Sequence, residues 1–166
     1  MDDTTKTNLP EANHRAIWVE LATQDEMFLG NRSAREMLGI LARASHFYDD
    51  LIDAPANVSA QTIHLAMWDI MVALPLNEFY CAHLKALAPV IASGILNWRA
   101  ANDMEKTGRR EELVISHALR YSIADVALLV MAILGGPDHA AKYARQAKLS
   151  FHEDTFEHYL SEHEKS

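Results

Sequence analysis

The chain has 166 residues, 49% of them hydrophobic, with 23 acids against 15 bases and a formal net charge of -8. That length suits one domain with a real core, the apolar content argues against intrinsic disorder, and the acid excess leaves no basic footprint for nucleic acid. Cys81 is the single cysteine, which excludes an intramolecular disulfide and a cysteine-rich zinc cage and fits a reducing compartment.

The residues MDDTTKTNLPE lack the basic and apolar regions of a signal peptide, and residues 1–10 are expected as a flexible N-terminus. A helix begins near Pro10 or Glu11, carries Ile17, Trp18 and Leu21 at helical spacing, and ends before Gly30 and Asn31. The next, about Arg32 to Asp53, sets Met37, Leu38, Leu41, Ser45, Tyr48 and Ile52 on one stripe. Ser59 caps a third helix reaching about Leu74, and Pro75 with Asn77 punctuates the start of a fourth. That fourth segment, Glu78 to Glu105, contains Pro89 and Gly94 and is either kinked or two helices.

A polar connection over 107–110 leads into a helix at about 111–134, apolar on nearly every side and expected at the centre of the bundle. Gly135-Gly136 ends it and Pro137 starts a helix to about Ser150; Thr155 to His163 forms a short polar one. His117, Arg120 and Asp125 interrupt the apolar run, so a core helix is the reading and no membrane span is expected. The fold class is all-α, a single-domain bundle of about six to seven helices over 11–151, followed by an acidic helix or tail at 152–166.

The sharpest chemical signal is His46-Phe47-Tyr48-Asp49-Asp50-Leu51-Ile52-Asp53, at the end of the second helix. His46, Asp50 and Asp53 share a face with Asp49 beside them, centred about 140° from the apolar stripe, toward solvent, a groove or a partner. Three carboxylates there repel one another and oppose the helix dipole, so a cation should compensate them. Mg2+ with oxygen ligands is one candidate. Arg120 is another, because a charge in so apolar a helix needs a partner; Asp69 and Glu78 are equally allowed for it, and Asp125 points elsewhere and needs its own.

His117, three residues before Arg120, shares its groove or sits in the core. Asn97, Trp98 and Asn102 form a second polar and aromatic knot, and Trp68 with the run Leu74 to Tyr80 a third. These are either core residues or the Trp and Tyr anchors of a recognition groove. No Gly-rich phosphate loop, GxSxG elbow or HExxH pair occurs.

DDLID resembles the first aspartate-rich motif of class I isoprenoid and terpene synthases, all-α enzymes in which such residues bind Mg2+ that grips a substrate diphosphate. The resemblance implies Asp49, Asp50 and Asp53 as ligands, and in an enzyme of that kind Arg120 is the candidate diphosphate clamp. A second acidic motif would come from Glu153-Asp154-Thr155-Phe156-Glu157 or from Asp103, Thr107 and Glu111.

As a whole, the chain resembles a family of small helical proteins of tailed phages and prophages, over roughly Trp18 to Tyr159. The matching residues are Phe47-Tyr48-Asp49-Asp50 with Ile52-Asp53, Trp68, Leu74-Pro75 with Asn77 and Phe79-Tyr80, then Trp98 with Ala100-Ala101-Asn102, Arg120, Asp125 and Gly135-Gly136 with His139. It implies a phage accessory or virion-associated protein in the bacterial host cytoplasm and supplies no reaction. The expectation is a non-enzymatic interaction protein, a homo-oligomer or a binder of phage or host proteins, whose Asp cluster takes a divalent ion or a basic partner. The alternative is a Mg2+-dependent enzyme acting on a diphosphate.

The charge is unevenly spread: residues 1–53 carry 10 acids and 5 bases, 152–166 carry 5 and 1, and 54–151 carry 8 and 9. The middle is a nearly neutral apolar bundle between acidic ends.

Overall fold

A computed structural model describes residues 25–53, 55–152 and 155–163, and among these the fold is all-α without a strand. The expected first helix and the flexible N-terminus lie outside the described residues, apart from the turn that leads into the bundle. There Met27 and Phe28 are buried, and Leu29 and Gly30 take left-handed φ of 48° and 69° before Asn31. Asn31 accepts a hydrogen bond from the Ala34 amide at 2.9 Å and so starts helix α1, Arg32–Asp53.

Met37, Leu38 and Leu41 of the expected stripe are buried, but Ser45, Tyr48 and Ile52 are exposed, because the last turns of α1 run beyond the main core. After a 3-10 turn at Pro55–Asn57, Ser59 caps α2, Ala60–Trp68, accepting from the Thr62 amide at 3.0 Å. Helix α2 passes into a π-helical segment, Asp69–Ala73, closed by the Leu74 amide donating to the Asp69 carbonyl at 2.8 Å.

Helix α3 spans Glu78–Glu105. Asn77 caps it through the Tyr80 amide, and the Asn77 amide group also donates to the Ser33 carbonyl at 2.9 Å, locking the start of α3 to the start of α1. This segment, expected to be kinked or to form two helices, is one continuous helix with Pro89 inside it. Pro89 sits at an exposed position and leaves the carbonyl one turn earlier without its helical donor.

The helix expected as continuous at about 111–134 is divided into α4, Arg110–Arg120, and α5, Ile123–Phe151. No glycine or proline marks the break. Tyr121 leaves the helical region, Ser122 donates back to the Leu119 carbonyl at 2.6 Å, and Asn97 on α3 donates to the Ser122 hydroxyl at 3.0 Å. The second break is where the glycines place it: Gly136 has φ 84° and ψ 175°, a backbone only glycine adopts at ease, so α5 is two helical arms joined at a kink. A Cβ on Gly135 would stand 2.5 Å from the His139 ring, which is itself held 2.9 Å from the Met27 carbonyl.

The main core joins Met27, Phe28 and the first half of α1 to Phe79 and Leu87 of α3 and to Ala124, Val126, Ala127, Val130 and Met131 of α5. The central role expected of 111–134 therefore belongs to its second half. Helix α4 packs along α3 instead, and a smaller cluster of Leu113, Tyr159 and Leu160, with Phe156 against it, seats the last helix, α6, Phe156–His163. The segment expected as an acidic tail thus contributes buried side chains to the fold.

Among the described residues, two stretches are long and apolar enough to cross a membrane by length and composition alone. Glu78–Glu105 has a mean hydropathy of 1.4 over its most apolar window, 11% of it buried, and Arg110–His163, which includes the break at Tyr121, reaches 1.7.

Candidate functional site

Where α1, α3, α4 and α6 meet, a guanidinium is held inside a ring of acceptors. Arg120, the last residue of α4, donates to Glu105 through Nε at 2.5 Å and Nη2 at 2.7 Å, to Asn102 Oδ1 at 3.2 Å, and through Nη1 to Asp49 Oδ1 at 3.2 Å. Asp53 Oδ2 is 3.9 Å from Nη2, and the Trp98 ring lies 5.9 Å from the guanidinium carbon. The paired donors to Glu105 form the fork geometry in which Arg and carboxylate bind most strongly. Burial opposes the charge on Arg120, but its carboxylate partners more than offset this and raise its pKa.

Glu105 is the best satisfied of the acids. Burial pushes its pKa up; the hydrogen bonds from Arg120, from the Tyr159 hydroxyl at 2.5 Å and from Ser116 Oγ at 3.0 Å outweigh it and hold the carboxyl low. Tyr159 responds in the opposite direction: burial, and donation of its proton to Glu105, push the phenol up to about 12. Ser116 is fully buried and also donates to the Ala101 carbonyl at 3.1 Å. One glutamate thereby ties the ends of α3 and α4 to α6.

Asp49 Oδ1 accepts from the Trp98 indole at 3.0 Å as well as from Arg120. Tyr48 packs on Trp98 with ring centroids 4.6 Å apart. Asp53, one turn further along, keeps 52% of its side chain exposed, and burial together with Asp49 raises its pKa. Beside these residues opens a groove of about 610 Å³ walled by Tyr48, Ile52, Trp98 and Asn102, with Asp53 and Glu105 among its lining. Its rim carries Arg99, Asp103, Lys106 and His163, of which Asp103 and Lys106 pair at 2.8 Å.

The structure brings Asp49, Asp53, Trp98, Asn102 and Arg120 together and places the other expected residues elsewhere. Asp50 is exposed and His46 half-buried, and neither lines the groove. Asp125 pairs with Lys148 at 2.5 Å, as its opposite orientation to Arg120 requires. His117 turns away into a cluster of rings, 5.0 Å from Tyr159, 5.4 Å from Phe156 and 5.5 Å from His152, where its buried Nε2 has no hydrogen-bond partner among the described residues. Asn97 holds the break between α4 and α5, Tyr80 packs against the main core, and Trp68 is exposed away from the groove.

Among the described residues no group of three or more His, Cys, Asp or Glu is arranged to hold a metal. Of the second acidic motifs, Glu153 and Asp154 lie outside the described residues, while Gly108 at φ 65° turns the chain between Thr107 and Glu111.

Glu105 and Tyr159 are the members that sequence reasoning overlooked. A signal for Tyr159 existed, since Phe156, Tyr159 and Leu160 have the spacing of one apolar helical face. No local pattern marks Glu105 as buried among the acids and bases around it. No family model matches the chain, and comparison with curated proteins and with solved structures also found no match.

Proposed function

We propose that the protein is a non-enzymatic, phage-encoded accessory or virion-associated protein of the bacterial host cytoplasm, and that its groove takes a basic segment of a partner protein. In this reading its apolar helices are bundle and interface helices, and none spans a membrane. The phage setting rests on the family resemblance. The binding mode rests on one observation: two of the three DDLID carboxylates, Asp49 and Asp53, are directed at an internal guanidinium beside an aromatic wall.

Three carboxylates, Asp49, Asp53 and Glu105, surround Arg120, and with Arg99, Asp103 and Lys106 of the rim counted, four acids face three bases and leave one net negative charge. The unspent share is concentrated on half-exposed Asp53, next to Tyr48 and Trp98. A Lys or Arg side chain fits that arrangement, because its stem covers the rings while its charge meets Asp53 and the ring faces. Mg2+ fits it less well, since it demands compact octahedral oxygen geometry, and Asp49 Oδ1 already accepts from both Trp98 and Arg120.

Calorimetric titration with Arg/Lys-rich peptides tests the reading. Binding should weaken with salt, and Asp53→Asn should weaken it about tenfold, the scale of one partly screened ion pair with its cation-π contribution. The reading fails if basic peptides do not bind while Mg2+ with inorganic diphosphate raises the melting temperature. That result would instead favour the diphosphate enzyme.

A further inference from the structure

A second surface has a different chemistry. Along α2, the π segment and the turn that follows, Ile63, Leu65, Met67, Trp68, Ile70, Met71 and Leu76 are all exposed, between 38% and 75%, and Ala66 is the one buried residue of α2. Gln61, Thr62 and His64 are the polar residues of α2, and its large apolar side chains stand outside the bundle, which covers only the side of Ala66. From Ala54 to Asn77 the sequence has a single charged residue, Asp69, and Arg43 of α1 holds it through bonds of 2.6 and 3.1 Å.

We infer that this face is the contact through which two copies of the chain associate about a two-fold axis. Three observations select a second copy as the occupant. The first is area: seven side chains at these exposures, at about 200 Å² for a fully exposed large residue, present on the order of 800 Å², the contribution of one partner to a stable interface. The second is charge. Each copy carries -8, so copies repel except where they meet through neutral surface, and the stretch from 54 to 77 is neutral once Arg43 is counted with Asp69. The third is placement. Trp68 lies midway along 60–76, so a two-fold axis beside it sets exposed Leu65 of one copy near exposed Met71 of the other and matches the face to itself. A lipid surface is disfavoured by the absence of Lys and Arg from 54–77, since interfacial helices flank their apolar face with cations.

The interface is separate from the basic-segment groove, so either can fail alone. Sedimentation of the full chain should give twice the 18.6 kDa chain mass. Trp68→Glu and Met71→Glu should each raise the dimer dissociation constant at least about 30-fold, the scale of a central interface residue, with an unchanged helical circular dichroism spectrum. Trp68→Cys in a Cys81→Ser background should form an intermolecular disulfide on mild oxidation, because residues beside a two-fold axis approach within bonding reach. The inference is overturned by a wild type that sediments at 18.6 kDa across the concentration range, or by a dimer that both glutamate variants leave intact. It is equally overturned by a monomer that floats with phosphatidylcholine and phosphatidylglycerol vesicles and loses this with Trp68→Glu. A dimer without the Trp68→Cys disulfide removes the placement of the axis.

Discussion

Two regions of the molecule treat side chains in opposite ways. Around Arg120 polar side chains meet across long stretches of chain: Asp49 lies 71 residues away, Glu105 15, and Tyr159 reaches Glu105 over 54. Along 63–76 Ala66 and Leu74 are buried, but seven large apolar side chains stand exposed. A buried ion pair is costly to form and costlier to break, whereas exposed apolar groups contribute little until something covers them. The first region therefore guards the shape of the single chain, and the second holds its binding energy in reserve.

The comparison can be broken most forcefully at Arg120. Arg120→Met leaves Glu105 buried without its cation, and chemical denaturation should show a loss of about 3–5 kcal/mol. A loss below about 1 kcal/mol would place the network among ordinary surface pairs.

Acid should act next. Burial and the neighbouring His117 lower the His152 pKa below its ordinary 6.5, so the unfolded chain takes the proton more readily than the folded one. Its stabilisation is complete above 6.5 and falls away as pH drops through the lowered folded value; Glu105, also lowered, adds a second decline beginning near 4.5. Melting temperature against pH should fall in two stages, and His152→Gln should remove the upper one alone. A single stage in the wild type would disprove the assignment.

The smallest effect belongs to the apolar face. Met71→Ser, measured at a dilution where copies are separate, should shift the stability of the single chain by no more than about 0.5 kcal/mol. A shift of 2 kcal/mol or more would show that Met71 supports the fold of the single chain and would erase the contrast.

Much of the architecture was legible because its signals are local. The stripe Met37, Leu38 and Leu41 fixed α1, Ser59 and Asn77 announced the starts of α2 and α3, and Gly136 marked the kink. The division at Tyr121 was not legible, since its cause is a hydrogen bond from Asn97 on another helix rather than a glycine or proline. At the site, the rule that a charge in apolar company must be paired allowed Asp49 as the partner of Arg120, alongside Asp69 and Glu78. The rule could not choose among them. Asp69 went to Arg43, and Glu105, which bears most of the guanidinium, was never in view. Helical spacing identifies which residues share a face; it does not say which helices those faces meet, so Trp68 and Trp98 looked alike and proved opposite in role.

The long separations around Arg120 also set an order of events in time. Closing a loop costs more entropy the longer it is, and contacts between distant residues form slowly. A chain emerging from the ribosome pairs α1 with α2 early, but Asp49 must wait for Arg120, and Glu105 for Tyr159. By the same measure the tie between the His139 ring and the Met27 carbonyl, across 112 residues, closes a longer loop than any around Arg120.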